Sequence, residues 1–174
     1  MSRPYYTANP TPRGAGFLRV AAVVGAPAAL LLFASIPADE GVVYRGYRDP
    51  VGIATKCMGD TRDVVIGRRY SVAECELSMA DALINHSKPV LACVPALRGR
   101  TNQLAASISW AYNVGARAFC RSVAAKHFNA GDWRGGCLAL SKPVTARGPN
   151  GRSVVLRGLV LRRQREVSLC LKGL

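Results

Sequence analysis

An α+β fold is what this 174-residue sequence predicts: a small lobe carrying strands, then a larger helical lobe, the whole preceded by one apolar helix. Three observations lead there. Residues 20–38 carry no charge, residues 42–61 are rich in Gly, Tyr, Val, Thr and Asp with broken alternation, and beyond Tyr70 apolar residues recur at helical spacing. Strand-like and helix-like sequence fall in separate runs and do not alternate, which distinguishes α+β from α/β.

The front segment, VAAVVGAPAALLLFASIPA, is close to the roughly 20 residues that cross a bilayer as a helix. Seven of its nineteen residues are alanine, and Gly25, Pro27 and Pro37 interrupt it, so it is only weakly apolar. Arg3, Arg13 and Arg19 precede it with no acid among them, which places the amino terminus in the cytoplasm and everything from Asp39 outside. Residues 1–19 then form a basic cytoplasmic tail, 20–38 the span, and 39–174 the folded domain. Three fates compete for such a segment: a cleaved signal peptide, a permanent anchor, or a marginal anchor that inserts and later leaves. It is long for a signal peptide, and Ile36 intrudes on the small-residue cleavage pattern. A permanent anchor is usually richer in Leu, Ile and Phe.

After Asp39, YRDPVG at 47–52 sets Asp49 and Pro50 at the start of a turn, and GIATKCMGDT alternates as a strand that turns at Gly59 and Asp60. Ser71 followed by Glu74 predicts a capping box at the head of a helix with a stripe of Val72, Leu77, Met79, Ala80 and Leu83. A buried helix is expected over 104–112, a break at Gly115, another helix from 116 or 118, and a short one started by Asp132. GPNGRSVVLRG reads as a Pro/Gly loop, and 159–171 as the last helix, with Arg162, Arg163, Arg165 and Glu166 on it. Trp110, Tyr112 and Trp133 read as packing residues, and Asn113 as a structural one.

Charge and cysteines narrow the function classes. Lys and Arg number 24 against 10 acids, and from Asp39 onward the balance is 21 minus 10, or +11, so the domain should be drawn to a polyanion such as a nucleic acid, an anionic lipid surface or a cell-wall polymer. The six cysteines, Cys57, Cys75, Cys93, Cys120, Cys137 and Cys170, include no C-x-x-C pair, and with only His86 and His127 present no metal-ligand spacing occurs. Three disulfides in an oxidising compartment agree with an outside location, although spacing alone leaves their pairing open. A nucleic-acid binder would have no use for the front segment or the cysteines. No cofactor signature appears.

Glu40, Asp49 and Thr55 are the candidate catalytic set. Cleaving a glycosidic bond needs an acid to protonate the departing oxygen and a carboxylate to position or activate water, and a hydroxyl can hold that water. Such spacing is common by chance; the surrounding text makes it specific. EG-x-x-Y-x-x-Y-x-D-x-V-G-x-x-T-x-C-x-G-x-T resembles the catalytic segment of the phage-type lysozymes, glycoside hydrolase family 24, whose pattern is Glu, eight residues, Asp or Cys, five residues, Thr. AYNVGARAFCRS at 111–122, FNAGDWRGGC at 128–137 and RGLVLRRQREVSLC at 157–170 resemble later family segments in the same order. Asp60 stands where relatives often carry His.

The resemblance implies a lysozyme-like fold and hydrolysis, with inversion, of the β-1,4 bond between N-acetylmuramic acid and N-acetylglucosamine in peptidoglycan. Glu40 would be the general acid, Asp49 and Thr55 would position the water, and Arg162 (or its neighbour Arg163) would support Glu40. It also implies disulfides Cys57–Cys75, Cys93–Cys170 and Cys120–Cys137, and no cofactor or metal. The front segment is similar to that of signal-anchor-release endolysins. The expectation is therefore a phage or prophage protein, a monomer without nucleic-acid partners, that is held in the host inner membrane amino terminus inside and freed to the periplasm when a holin or pinholin acts. The alternative is a non-catalytic, anchored wall-binding protein of the same fold.

Overall fold

Gly25 divides the apolar front segment into two helices, α1 (Ala15–Val24) and α2 (Ala26–Glu40), taking φ +84°, a region that L side chains rarely adopt. The computed structural model describes residues 14–49, 52–147 and 152–174, in two compact units that divide between Asn85 and His86. Residues 1–13 of the expected tail, Pro50 and Val51 of the expected turn, and residues 148–151 of the expected loop lie outside them. Phe17 and Val20 of α1 and Ala28, Ala29, Leu32, Phe33 and Ile36 of α2 are buried, and Phe17 meets Phe33 edge to face at 5.6 Å between ring centroids. In the folded chain the stretch expected as one helix over 20–38 lies in a helical pair that begins at Ala15. Among the described residues no helix is long and apolar enough to cross a membrane.

In the same unit β1 (Val43–Arg48) and β2 (Ala54–Cys57) pair antiparallel, with Val43 opposite Cys57 and Tyr47 opposite Thr55. Residues 65–70 run along β1: Gly46 N–H donates to Arg68 O, and Tyr70 N–H to Tyr44 O, both at 2.9 Å. Only glycine fits at position 46, because a Cβ would overlap the Val65 carbonyl. The predicted capping box opens α3 (Val72–Cys93): Glu74 N–H donates to Ser71 Oγ at 3.2 Å, and Ser71 N–H to the Glu74 carboxylate at 2.8 Å. Cys75, Met79, Ala80 and Leu83 are its buried face here, whereas Val72 and Leu77 of the expected stripe are exposed.

The second unit is helical. α4 (Thr101–Val114) is its centre, buried without interruption from Gln103 to Ala111. Around it come α5 (Ala116–Cys120), α6 (Val123–Asn129), α7 (Trp133–Ala139) and α8 (Arg157–Leu171). Asp132 caps α7 by accepting from Gly135 N–H at 2.8 Å, as expected. Within the expected loop, 148–158, lies the short strand β4 (Ser153–Val155), which pairs antiparallel with β3 (Thr145–Arg147) just before it.

The disulfides are Cys57–Cys75, Cys93–Cys120 and Cys137–Cys170. The first is as expected; Cys93–Cys170 and Cys120–Cys137 are corrected. Cys93 ends α3 beside the end of α5, with Cα atoms 5.8 Å apart, while Cys137 of α7 meets Cys170 of α8 at 5.4 Å. The first bridge ties strand β2 to α3 and the other two tie helix to helix, and such adjacency is not written in residue spacing.

Candidate active site

Glu40 is the last residue of α2. Gly41 ends the helix there at φ +70°, its N–H bonded to Pro37 O at 3.0 Å, and turns the chain into β1. The Glu40 side chain is half-buried.

Asp49 and Thr55 sit on opposite arms of the β1–β2 hairpin and both bond to Ile53. The Asp49 Oδ1 accepts from Ile53 N–H at 2.8 Å, and Asp49 N–H donates to Ile53 O at 2.9 Å. The Thr55 hydroxyl, on a residue only 4% exposed, donates to the same carbonyl at 3.0 Å. Gly52 N–H donates to Asp49 O, and Arg48 Nη1 to Gly52 O at 2.8 Å, which tightens the turn further. The hairpin therefore fixes the carboxylate and the hydroxyl relative to one another. Because the hydroxyl hydrogen is committed to Ile53, Thr55 meets a further partner as an acceptor.

Asp60, the residue where relatives often carry His, has a structural task. Its carboxylate accepts from Ser78 Oγ of α3 and from Arg62 N–H and Nε, with Lys56 Nζ 3.9 Å away. Burial raises its pKa, but the hydrogen bonds from Ser78 and Arg62 outweigh burial and hold the carboxyl below its ordinary value. The Cys57–Cys75 bridge ties β2 to α3 nearby.

In the second unit Arg162 and Arg163 are both buried and share Glu166, which is buried as well. Arg162 Nε lies 3.1 Å from Glu166 Oε1, and Arg163 Nε 2.8 Å from Oε2. Ser109 Oγ donates to Glu166 Oε1 at 2.8 Å, Arg162 Nη2 to Ser109 O at 3.0 Å, and Arg163 Nη2 to Asn113 Oδ1 at 3.2 Å, with the Trp110 ring 5.6 Å from the Arg163 guanidinium. Burial pushes the Glu166 carboxyl up, against the pull of Arg163, Ser109 and Arg162. Sequence reasoning named the arginines but missed Glu166 and Ser109 as their partners. The spacing of 162 and 163 to 166, i+4 and i+3 on one helix, was the available signal. Among the described residues no group of three or more His, Cys, Asp or Glu is placed to hold a metal ion.

The sequence profile of the phage lysozyme family matches residues 38–166, a span that contains Glu40, Asp49, Thr55, Arg162 and Glu166. An endolysin of bacteriophage PS119, named a SAR-endolysin, is 34% identical over 135 residues, 77% of each chain. Among solved structures, an endolysin from Escherichia coli O157:H7 phage FAHEc1 superposes with a TM-score of 0.75 at 24% identity, covering 83% of this chain and 92% of that one. A crystal structure described as the active form of the P1 phage endolysin Lyz gives 0.74 at 24% identity, covering 91% and 94%. At that identity the structural likeness carries the fold alone.

Proposed function

Because the chain belongs to the phage lysozyme family, we propose that it is an endolysin that cuts the β-1,4 bond between N-acetylmuramic acid and N-acetylglucosamine in peptidoglycan. Glu40 acts as the general acid on the departing oxygen. Thr55, its hydrogen already given to Ile53, accepts one hydrogen of the attacking water. Asp49 takes the other, which leaves a lone pair of the water for the anomeric carbon on the opposite sugar face. Such an attack inverts the configuration. Arg162 supports Glu40 in this scheme. The observation that carries the reading is the joint engagement of Asp49 and Thr55 by Ile53, in the Glu-x8-Asp-x5-Thr register of the matched family.

Delivery is the second half of the proposal. Residues 20–38 insert in the host inner membrane with the amino terminus inside and leave it when a holin or pinholin collapses the potential, freeing the enzyme to the periplasm. The SAR-endolysin relatives support this, as does the weak hydropathy of the segment. Glu40 closes the same helix that holds residues 26–38, so while that stretch lies in lipid the acid is kept from its folded position. No cysteine precedes Cys57, so the switch is one of topology and not of thiols.

The test is turbidity loss of outer-membrane-permeabilised Gram-negative cells by the full chain, which is needed because residues 15–38 supply core. Glu40→Gln should lose roughly 10²–10⁴-fold in rate. Equal clearing would remove Glu40 from the mechanism. No clearing by either folded protein would make the chain a wall-binding protein without catalysis.

A further inference from the structure

The β3–β4 hairpin leaves an apolar run in solvent. Among the described residues it pairs with no third strand, and every residue of β4 is exposed. Val154, Val155 and Leu156 follow one another with 46%, 62% and 42% of their surfaces in water, and Leu161, early in α8, adds 43%. In a half-buried strand alternate residues turn inward. Here none does, and consecutive exposed apolar side chains usually mark a surface that something covers.

Charge indicates what covers it. From residue 133 to 165 the sequence contains eight basic residues and no acid. Arg162 and Arg163 are buried and held by Glu166, so they do not add to the surface charge. Arg152 and Arg157 bracket the apolar run, and both are exposed, as is Arg165 on α8. The run itself holds no aromatic platform and no amide or carboxylate for sugar hydroxyls, so a glycan is a poor match. Apolar side chains flanked by guanidiniums suit the interface of an anionic bilayer, where the first enter the acyl boundary and the second meet phosphates.

We propose that strand β4 with the start of α8 is a docking surface for an anionic phospholipid bilayer. It belongs to the folded chain whether or not residues 20–38 ever insert, and so does not rest on the release scheme. Docked there, the enzyme would work from a membrane surface and not from free solution.

The experiment sediments the full chain with vesicles of phosphatidylcholine alone or mixed with phosphatidylglycerol. Two variants are compared with the parent, all identical in residues 1–38: Val155→Asp with Leu156→Asp, and Arg152→Gln with Arg157→Gln. The parent should prefer the anionic vesicles and come off them in high salt. Removing a guanidinium should weaken binding about fivefold, so the arginine pair should cost roughly 25-fold, and the aspartate pair should abolish the anionic preference. Clearing of purified, lipid-free cell walls should stay at the parent's rate in both.

Three results would overturn the proposal. One is equal binding to neutral and anionic vesicles, and another is parental binding by the arginine variant, which keeps the test valid should the aspartate variant misfold. The third is a lipid-independent shift from dimer to monomer in sedimentation velocity, which would assign the patch to a second copy of the chain.

Discussion

Arg19 Nη2 lies 2.6 Å from Asp81 Oδ1, so the basic residue that precedes the apolar segment is paired, in the folded chain, with helix α3. In the inserted topology proposed above the same arginine lies on the cytoplasmic side. Leaving the membrane would carry it across to Asp81.

The ion pair itself is a weak fastener. Both side chains are more than a third exposed, and such pairs contribute about 0–1 kcal/mol. Steric fit is the stronger term: the Cβ position of Gly16 lies 3.2 Å from both Ala80 Cβ and Glu76 O, tighter than ordinary contact. Gly16→Leu should therefore destabilise the folded chain by about 1–3 kcal/mol through overpacking, whereas Asp81→Asn should cost less than about 1 kcal/mol. Urea unfolding of the two variants measures both. Equal effects would mean that α1 is not seated by close contact with α3.

Membrane retention needs probes that spare the fold. Leucine at Ala28 and Ala29 is the obvious way to make the span more apolar, but both alanines are buried, at 1% and 0% exposure, so leucines there would also spoil the folded unit. Ala22 and Ala34 are exposed. Each leucine favours insertion by roughly 0.3–0.6 kcal/mol at the middle of a span and by less toward its ends. Ala22→Leu with Ala34→Leu should raise the fraction of protein in the inner-membrane pellet and delay lysis, with unfolding in solution little changed. Parental partition and lysis timing would count against the release scheme.

What could be read in advance was local. The Ser71–Glu74 box, the Asp132 cap and the break at Gly115 each use bonds or torsions within a few residues, so their signals lie in adjacent letters. Contacts between distant segments were not legible. Which helix ends bring Cys93 to Cys120, and how Ser109 reaches Glu166 from 57 residues away, depend on packing that no spacing encodes. Gly25 was visible as an interruption, but that it folds one expected span into two packed helices follows from the burial of both faces. The spacing of Asp49 and Thr55 was legible; their common hold on Ile53 was not, because it arises from strand register. The β3–β4 strands, three residues each, were too short for periodicity to reveal.

Asp60 predicts a dependence on acid. Its carboxyl is lowered in the folded state, so the unfolded chain binds the proton more readily. The stability this supplies is present above the ordinary value of 3.8 and is lost as pH falls through the lowered folded value. Asp60→Asn should cost about 1.5–3 kcal/mol at neutral pH, the range for hydrogen bonds to a charged group. The gap between parent and variant should narrow as pH drops below 3.8. Unfolding midpoints in urea across that range provide the check, and a gap independent of pH would show that the carboxylate charge does not carry the link to Ser78 and Arg62.

Glu166 gives the largest expected effect. It is the carboxylate that Arg162 and Arg163 share, and all three side chains are at most 5% exposed. Glutamine at 166 keeps the shape and one acceptor but removes the negative charge, leaving two buried guanidiniums without it. Breaking a buried pair from one side costs about 3–5 kcal/mol, because the remaining charge is desolvated without compensation. Arg165→Gln, at an exposed position two residues further along α8 than Arg163, should change stability by less than about 0.5 kcal/mol. A Glu166→Gln protein that unfolds within about 1 kcal/mol of the parent would mean that α8 is held to α4 by apolar packing and by Gln103 and Asn102 at its far end, with the buried charges contributing orientation only.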